Sequence, residues 1–228
     1  MRSYCICLIP PCVVRFSSHI LAELCHLLAN QLIKNSIPIR GIALVSRSIL
    51  KLQPNPGVLT SVHSDLAKLC LKARCFGPIL PVLDRDITQI NREGDNFDAS
   101  YVLLFYYYGG CIYLAVKQYE KALYYFEVAV TCPTAAVSHI MLEAYKKYQL
   151  VGLLVHGDKP KDAVSLPKFT SPIVAKFLKP LCRAYTEVVT AYHLNSADDL
   201  RNVIPKYRVS YHYYLPTYFS QLFADLPS

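Results

Sequence analysis

The 228-residue chain carries 24 Lys+Arg against 16 Asp+Glu, a formal net charge of +8, and 53% of its residues are apolar. That is enough to bury a core in one or two domains and excludes a disordered tail, while 8 glycines and 15 prolines exclude collagen-like and low-complexity classes. Only 18% of residues are charged and mean hydropathy is +0.25, so the chain either enters a membrane or keeps surface for partners to cover.

The sequence opens on an apolar leader, residues 1–17, which imitates a signal peptide weakly. It has few charges, Pro10-Pro11 interrupts it, and no small-x-small cleavage site follows closely. Residues 19–34 place Ile20, Leu24, Leu27, Leu28 and Leu32 near one face of a helix that breaks at Asn35-Ser36-Ile37-Pro38. A second helix, 39–53, repeats the period through Ile42, Val45, Ile49 and Leu52 and stops at Pro54-Asn55-Pro56-Gly57. Thr60 or Ser61 caps a third, expected to reach about Arg74, and Gly77-Pro78 opens a fourth, to about Asn91. After a polar break at 92–96 come helices at 98–116, 118–131 and about 135–156. A loop rich in Asp, Lys and Pro follows, and then one long helix over about 171–194. Strict alternation is absent, so strands find little support.

The expected fold class is therefore all-α, in antiparallel helix pairs. The charge-free run Ala99–Val116 is long enough to raise a membrane span. Its five tyrosines and Gly109-Gly110 favour a helix buried in protein, and no membrane partner is expected. Nine cysteines, an odd number, sit mostly inside apolar helical patterns and read as free thiols of a cytoplasmic or nuclear protein.

The strongest repeat signal lies at 106–133. Gly110 takes a small slot, Tyr113 follows three residues later, and Tyr106 leads. On the next helix Ala122 is small, Phe126 comes four later and Ala129 three after that. Pro133 closes the unit, one residue early. These offsets are those of tetratricopeptide-like helical hairpins, in which small residues let two helices approach and aromatics fill the space beside them. One pair cannot bury its own apolar face, so neighbours stack into a solenoid. Gly41, Val45 and Ser48 repeat the second-helix slots, with Ala29 and Leu32 upstream, and Pro78, Val82 and Arg85 repeat them more weakly. The repeats are irregular.

Sites for chemistry are hard to assemble. None of the seven histidines forms H-x-H or H-E-x-x-H, Cys5-x-Cys7 with Cys12 lacks a fourth ligand, and no phosphate-cradling glycine loop or nucleophile elbow occurs. No catalytic residue, cofactor or metal is assigned. The charge balance raises nucleic acid, through a basic face at Lys176, Lys179 and Arg183 and a tyrosine-rich tail at 207–228. A solvated or partner-facing surface explains the same residues better.

Four stretches taken together, YYYGGCIY at 106–113, QYEKALYYFE at 118–127, SHIMLEAYKKY at 138–148 and SPIVAKFLKPL at 171–181, resemble the subunit 3 family of the COP9 signalosome over about residues 18 to 204. The resemblance implies a non-catalytic scaffold of the complex that removes Nedd8 from cullins, whose zinc isopeptidase is another subunit. It implies other signalosome subunits as partners, cullin-RING ligases indirectly, and a place in cytoplasm and nucleus. It also implies a domain order: a leader at 1–17, repeats at 18–156, a loop at 157–170, the start of a PCI helical region at 171–206, and a divergent tail at 207–228. The chain departs from the family at both ends, with earlier repeats missing and no recognisable winged helix after about Lys206, so a shortened version is expected. Scaffold subunits of the related proteasome lid and a basic helical-repeat nucleic-acid adaptor are the alternatives.

Overall fold

Punctuation in the sequence sets most of the helix ends. The computed structural model describes residues 18–91, 98–134, 136–156, 166–194 and 197–207. The leader at 1–17, the 92–96 break, most of the 157–170 loop and nearly all of the 207–228 tail lie outside the described residues. The helices are α1 (Ser18–Lys34), α2 (Ile39–Leu52), α3 (Val62–Ala73), α4 (Leu80–Leu83), α5 (Ser100–Ala115), α6 (Tyr119–Thr131), α7 (His139–His156), α8 (Pro172–Leu181), α9 (Arg183–His193) and α10 (Ala197–Lys206). The chain forms two compact units, Met1–Ile112 and Tyr113–Ser228, with the boundary inside α5.

Three first helices of pairs end in the same way. Ser36, Arg74 and Lys117 adopt left-handed backbone at φ 58°, 52° and 62°. Beyond them, Ile37 N–H donates to the Leu32 carbonyl (3.0 Å), Cys75 N–H to Cys70 (3.0 Å) and Gln118 N–H to Tyr113 (2.9 Å). Each is the six-residue closure of a Schellman motif, which satisfies carbonyls that the helix end would otherwise orphan. None of the three is glycine, so each spends some backbone strain to turn the chain there.

In the first unit α1, α2 and α3 pack on one another. The buried face of α1 is Leu21, Ala22, Cys25 and Ala29, not the row expected from sequence; Ile20, Leu24 and Leu27 are 51%, 51% and 56% exposed. Two neighbouring helices approach this side, and small side chains let them do so, while the larger row is left outward. On α2 the buried face is Gly41, Ile42, Val45, Ser48, Ile49 and Leu52. Ser61 is the N-cap residue of α3 but its hydroxyl caps nothing, and Thr60 turns to His63 instead.

The expected fourth helix shrinks to α4, because the chain is drawn out beyond Asp84 to pair with the loop after α2. Val58–Leu59 (β1) and Gln89–Ile90 (β2) form a two-residue parallel ladder, with Thr88 N–H donating to Gly57 (2.9 Å) and Asn91 N–H to Leu59 (2.8 Å). Strands of two residues leave no alternating pattern to read.

In the second unit α6 packs on α7, α7 on α8 and α9, α8 on α9, and α9 on α10. Helix α7 starts later than expected because the Ser138 hydroxyl accepts the Met141 N–H (3.3 Å) and fixes the cap. Covered on more than one side, α7 buries residues around most of its circumference, including Met141, Ala144, Tyr145 and Val151. The single long helix expected over 171–194 is two, divided at Cys182 (φ −106°, ψ 16°). Pro180 removes an amide donor and crowds the preceding turn, so the helix ends one residue on, at Leu181.

Candidate functional site

In a helical-repeat protein the working parts are the packing slots and the faces the stack leaves open. Gly110 is buried on α5, in the first unit. In the second unit Tyr113 is 1% exposed, and Ala122, Phe126 and Ala129 are fully buried. The Tyr113 ring meets Tyr125 edge-on at 5.0 Å, and Lys121 Nζ lies 5.3 Å from the Tyr113 centroid. Tyr106 is half-buried. Pro133 is exposed just past α6, where it holds Cys132 in extended backbone (ψ 127°) and forbids another turn.

The left-handed residues place the repeats in phase. Seven positions before each stands a small buried residue: Ala29, Ala67 and Gly110. Five positions after stand Gly41, Ile79 and Ala122, all buried, and four further on Val45, Leu83 and Phe126, all buried. The slots assigned to Pro78, Val82 and Arg85 from sequence are therefore one residue out of phase. Pro78 and Arg85 are exposed, whereas Ile79 and Leu83 are 0% and 3% exposed. Sequence reading missed this because proline marks a break more loudly than isoleucine marks a core position. The first pair shows why a slot must be small: a Cβ on Gly41 would lie 2.6 Å from Leu32 Cδ1 and 3.0 Å from Leu69 Cδ1.

Polar groups inside the first unit are built on histidine. His26 of α1 is hydrogen-bonded through Nδ1 to the Asp65 carboxylate of α3, and its ring stacks on Tyr101 of α5 at 4.4 Å and 7°. His63 is 2% exposed; its Nδ1 accepts the Thr60 N–H at 3.0 Å, and burial pushes its pKa down to about 4, so it is neutral at pH 7. Nothing in the sequence paired His26 with Asp65, which lie far apart along the chain.

Charged groups in the second unit form ion pairs, beside a buried Gln149 that donates to the Thr186 hydroxyl at 2.8 Å. Glu143, 8% exposed, faces Lys146 Nζ at 2.7 Å and Lys147 Nζ at 3.7 Å. Glu187 takes both Arg183 (2.7 Å) and Lys206 (3.0 Å), which together hold its carboxyl down at about 2. Arg183 of the expected basic face is thus already engaged, while Lys176 and Lys179 are exposed on α8. A cleft of about 500 Å³ is bordered by Lys179, Arg183, Glu187 and Asp199, so its rim carries both signs of charge. Burial raises the Cys70 and Cys182 thiols to about 12, leaving them protonated and packed as small hydrophobes. Among the described residues no group of three or more His, Cys, Asp or Glu could hold a metal ion, and no helix is long and apolar enough to cross a membrane.

Two faces stay apolar and open. One is the α1 row Ile20, Leu24 and Leu27; the other is Ile173, Phe177 and Leu181 on α8, 50%, 48% and 60% exposed.

Comparison with known proteins accounts for this arrangement. A family model described as COP9 signalosome complex subunit 3, N-terminal helical repeats, matches residues 5–174, and so begins ahead of the residue 18 expected from sequence. The chain is 42% identical over 200 residues to a protein of Drosophila melanogaster named COP9 signalosome complex subunit 3, covering 81% of this chain and 44% of the relative. It is 33% identical over 191 residues to a Dictyostelium discoideum protein of the same name, covering 83% and 45%. The chain thus spans less than half the length of these relatives. With helical repeats in the structure and the family match across most of its length, the chain belongs to the COP9 signalosome complex subunit 3 family.

Proposed function

We propose that this chain is a non-catalytic scaffold subunit of the COP9 signalosome. Its helical repeats and the helices that follow them dock sibling subunits. By holding the complex together they support removal of Nedd8 from cullins by an isopeptidase carried on another subunit, and so bear on cullin-RING ligases indirectly, in cytoplasm and nucleus. The observation that carries this reading is the family match across residues 5–174. Two apolar rows left half-exposed on α1 and α8 support it, because such surface is costly to leave in water unless a partner covers it.

Affinity purification of the tagged chain from cells, followed by mass spectrometry, tests the proposal. Stoichiometric recovery of the other signalosome subunits is the expected result. If none is recovered from cells whose full-length subunit 3 does pull them down, the reading fails. A salt titration adds a second check: scaffold association persists through moderate salt, whereas binding to phosphates would fall steeply.

A further inference from the structure

Helix α3 ends at Arg74, and the closure that follows, from the Cys75 N–H to the Cys70 carbonyl at 3.0 Å, joins two cysteines. A closure of this kind sets the side chains of its two end residues on the same side of the turn, where they commonly touch. At the end of α1 the same two places hold Leu32 and Ile37, and at the end of α5 they hold Tyr113 and Gln118. Of the three, α3 alone puts sulfur at both. The hydrogen bond, with the peptide spans on either side of it, keeps the two Cα atoms within about 7 Å, the reach of a disulfide. The sulfurs are close enough for charge on Cys75 to oppose ionisation of Cys70. Both are free thiols; Cys70 is fully buried, whereas Cys75 is partly open to solvent. The turn between them is strained, since Arg74 holds left-handed backbone there at φ 52°.

We propose that Cys70 and Cys75 form a reversible disulfide that staples the turn out of α3, so that this helix end answers to the thiol–disulfide balance around it. The oxidant is glutathione disulfide. The Cys75 thiolate, the one that solvent reaches, attacks one of its sulfurs. A bond between Cys75 and glutathione forms, and the other glutathione leaves as its thiolate. The Cys70 thiolate then attacks the Cys75 sulfur, the protein disulfide forms and the second glutathione leaves. Two protein thiols are oxidised, one glutathione disulfide is reduced to two glutathiones, and the protons lost by the cysteines go to the departing thiolates. Run backwards, the same two steps restore the dithiol. Burial holds Cys70 protonated, which slows the second step and makes it rise with pH. The bond closes a ring across the left-handed residue, and so holds the strained turn in place and the end of α3 against fraying. In a reducing compartment the open dithiol is the resting form and the staple is transient. The inference does not depend on the scaffold reading.

The test equilibrates the full chain in buffers of reduced and oxidised glutathione, blocks the remaining thiols with N-ethylmaleimide and digests with trypsin. Cleavage after Lys68, Lys72, Arg74 and Arg85 separates the two cysteines. The expected product by mass spectrometry is LCLK (69–72) joined to CFGPILPVLDR (75–85), which dithiothreitol splits. At equal total glutathione, the folded chain should form it at a ratio of oxidised to reduced glutathione about tenfold or more below that needed in urea, because the native turn already holds the two sulfurs together. Cys70→Ala should stop at the mixed disulfide of Cys75 with glutathione, and Cys75→Ala should leave Cys70 unmodified; circular dichroism checks that both fold. In the wild type, conversion of the mixed disulfide to the linked pair should speed up about tenfold per pH unit between about pH 7 and 9. The inference is overturned if the wild type stops at the mixed disulfide, if Cys75 links to another cysteine, or if excess glutathione fails to reopen the bond. It is overturned equally if the pair forms no more readily in the folded chain than in urea, a comparison that needs no variant to fold. A conversion rate indifferent to pH would remove Cys70 as the second thiol.

Discussion

The two units hold polar groups of different chemistry, and these respond differently to acid. The first holds a neutral histidine, His63, and a His26–Asp65 pair under the Tyr101 ring. The second holds Glu187, near its surface, between Arg183 and Lys206. A histidine kept neutral by burial opposes protonation, so acid acts against it early. A carboxylate held ionised by cations yields only when it is itself protonated. The contrast shows that burial alone does not set acid sensitivity; the sign of the charge that burial or a neighbour favours does.

The largest effect should come from emptying a packing slot in the second unit. Phe126 is fully buried, and Phe126→Ala should cost about 3–5 kcal/mol by lost burial and a residual cavity. Urea denaturation would measure this, and hydrogen exchange should show α7 losing protection before α3. A change below about 1 kcal/mol would mean that the slot is not a core position.

Next is the acid response of the first unit. His63 titrates near 4 when folded and near 6.5 when unfolded, so the unfolded chain binds the proton first. Stability from this group is full above about pH 6.5 and declines towards about pH 4, by an upper figure of roughly 3 kcal/mol. Melting followed from pH 7 to 4.5 should show α3 amides weakening ahead of α7 amides. His63→Asn, which keeps an acceptor near the Thr60 N–H, should flatten the slope; an unchanged slope would place the titrating group elsewhere.

Overpacking provides a matched pair. Gly41→Leu in the first unit and Ala122→Leu in the second should each cost about 1–3 kcal/mol. Gly41→Ala should be close to neutral, because the gain in helix propensity, about 1 kcal/mol, offsets displacement of the flexible Leu32 tip, 2.6 Å from the new Cβ. Unchanged thermal midpoints for both leucine variants would refute the small-slot reading in both units.

The smallest effect belongs to the surface. Lys206→Gln should leave the melting midpoint unmoved, since the pair is exposed and screened. It should still raise the Glu187 carboxyl from about 2, which an NMR titration would follow.

Much of the helical layout was legible in the sequence, for identifiable reasons. Pro38, the Pro54–Gly57 cluster and Pro133 stop helices wherever they occur, and the α2 and α6 core positions follow a clean helical period. The slots Tyr113, Ala122, Phe126 and Ala129 stood out because small and large residues alternate at hairpin spacing. The second pair was misphased at Pro78, and the helix over 171–194 was read unbroken although Pro180 lay within it.

The sequence by itself determined which segments coil into helices, where the main breaks fall, and which family they belong to, because propensity and punctuation act within a few neighbouring residues. Tertiary structure alone decided that the small side of α1 faces inward and its leucine row outward. It also drew Gln89–Ile90 beside Val58–Leu59 and His26 to Asp65, and left the ridge of α8 bare. Those outcomes depend on which surfaces meet, and residues distant in the chain become neighbours only when packed helices bring them together.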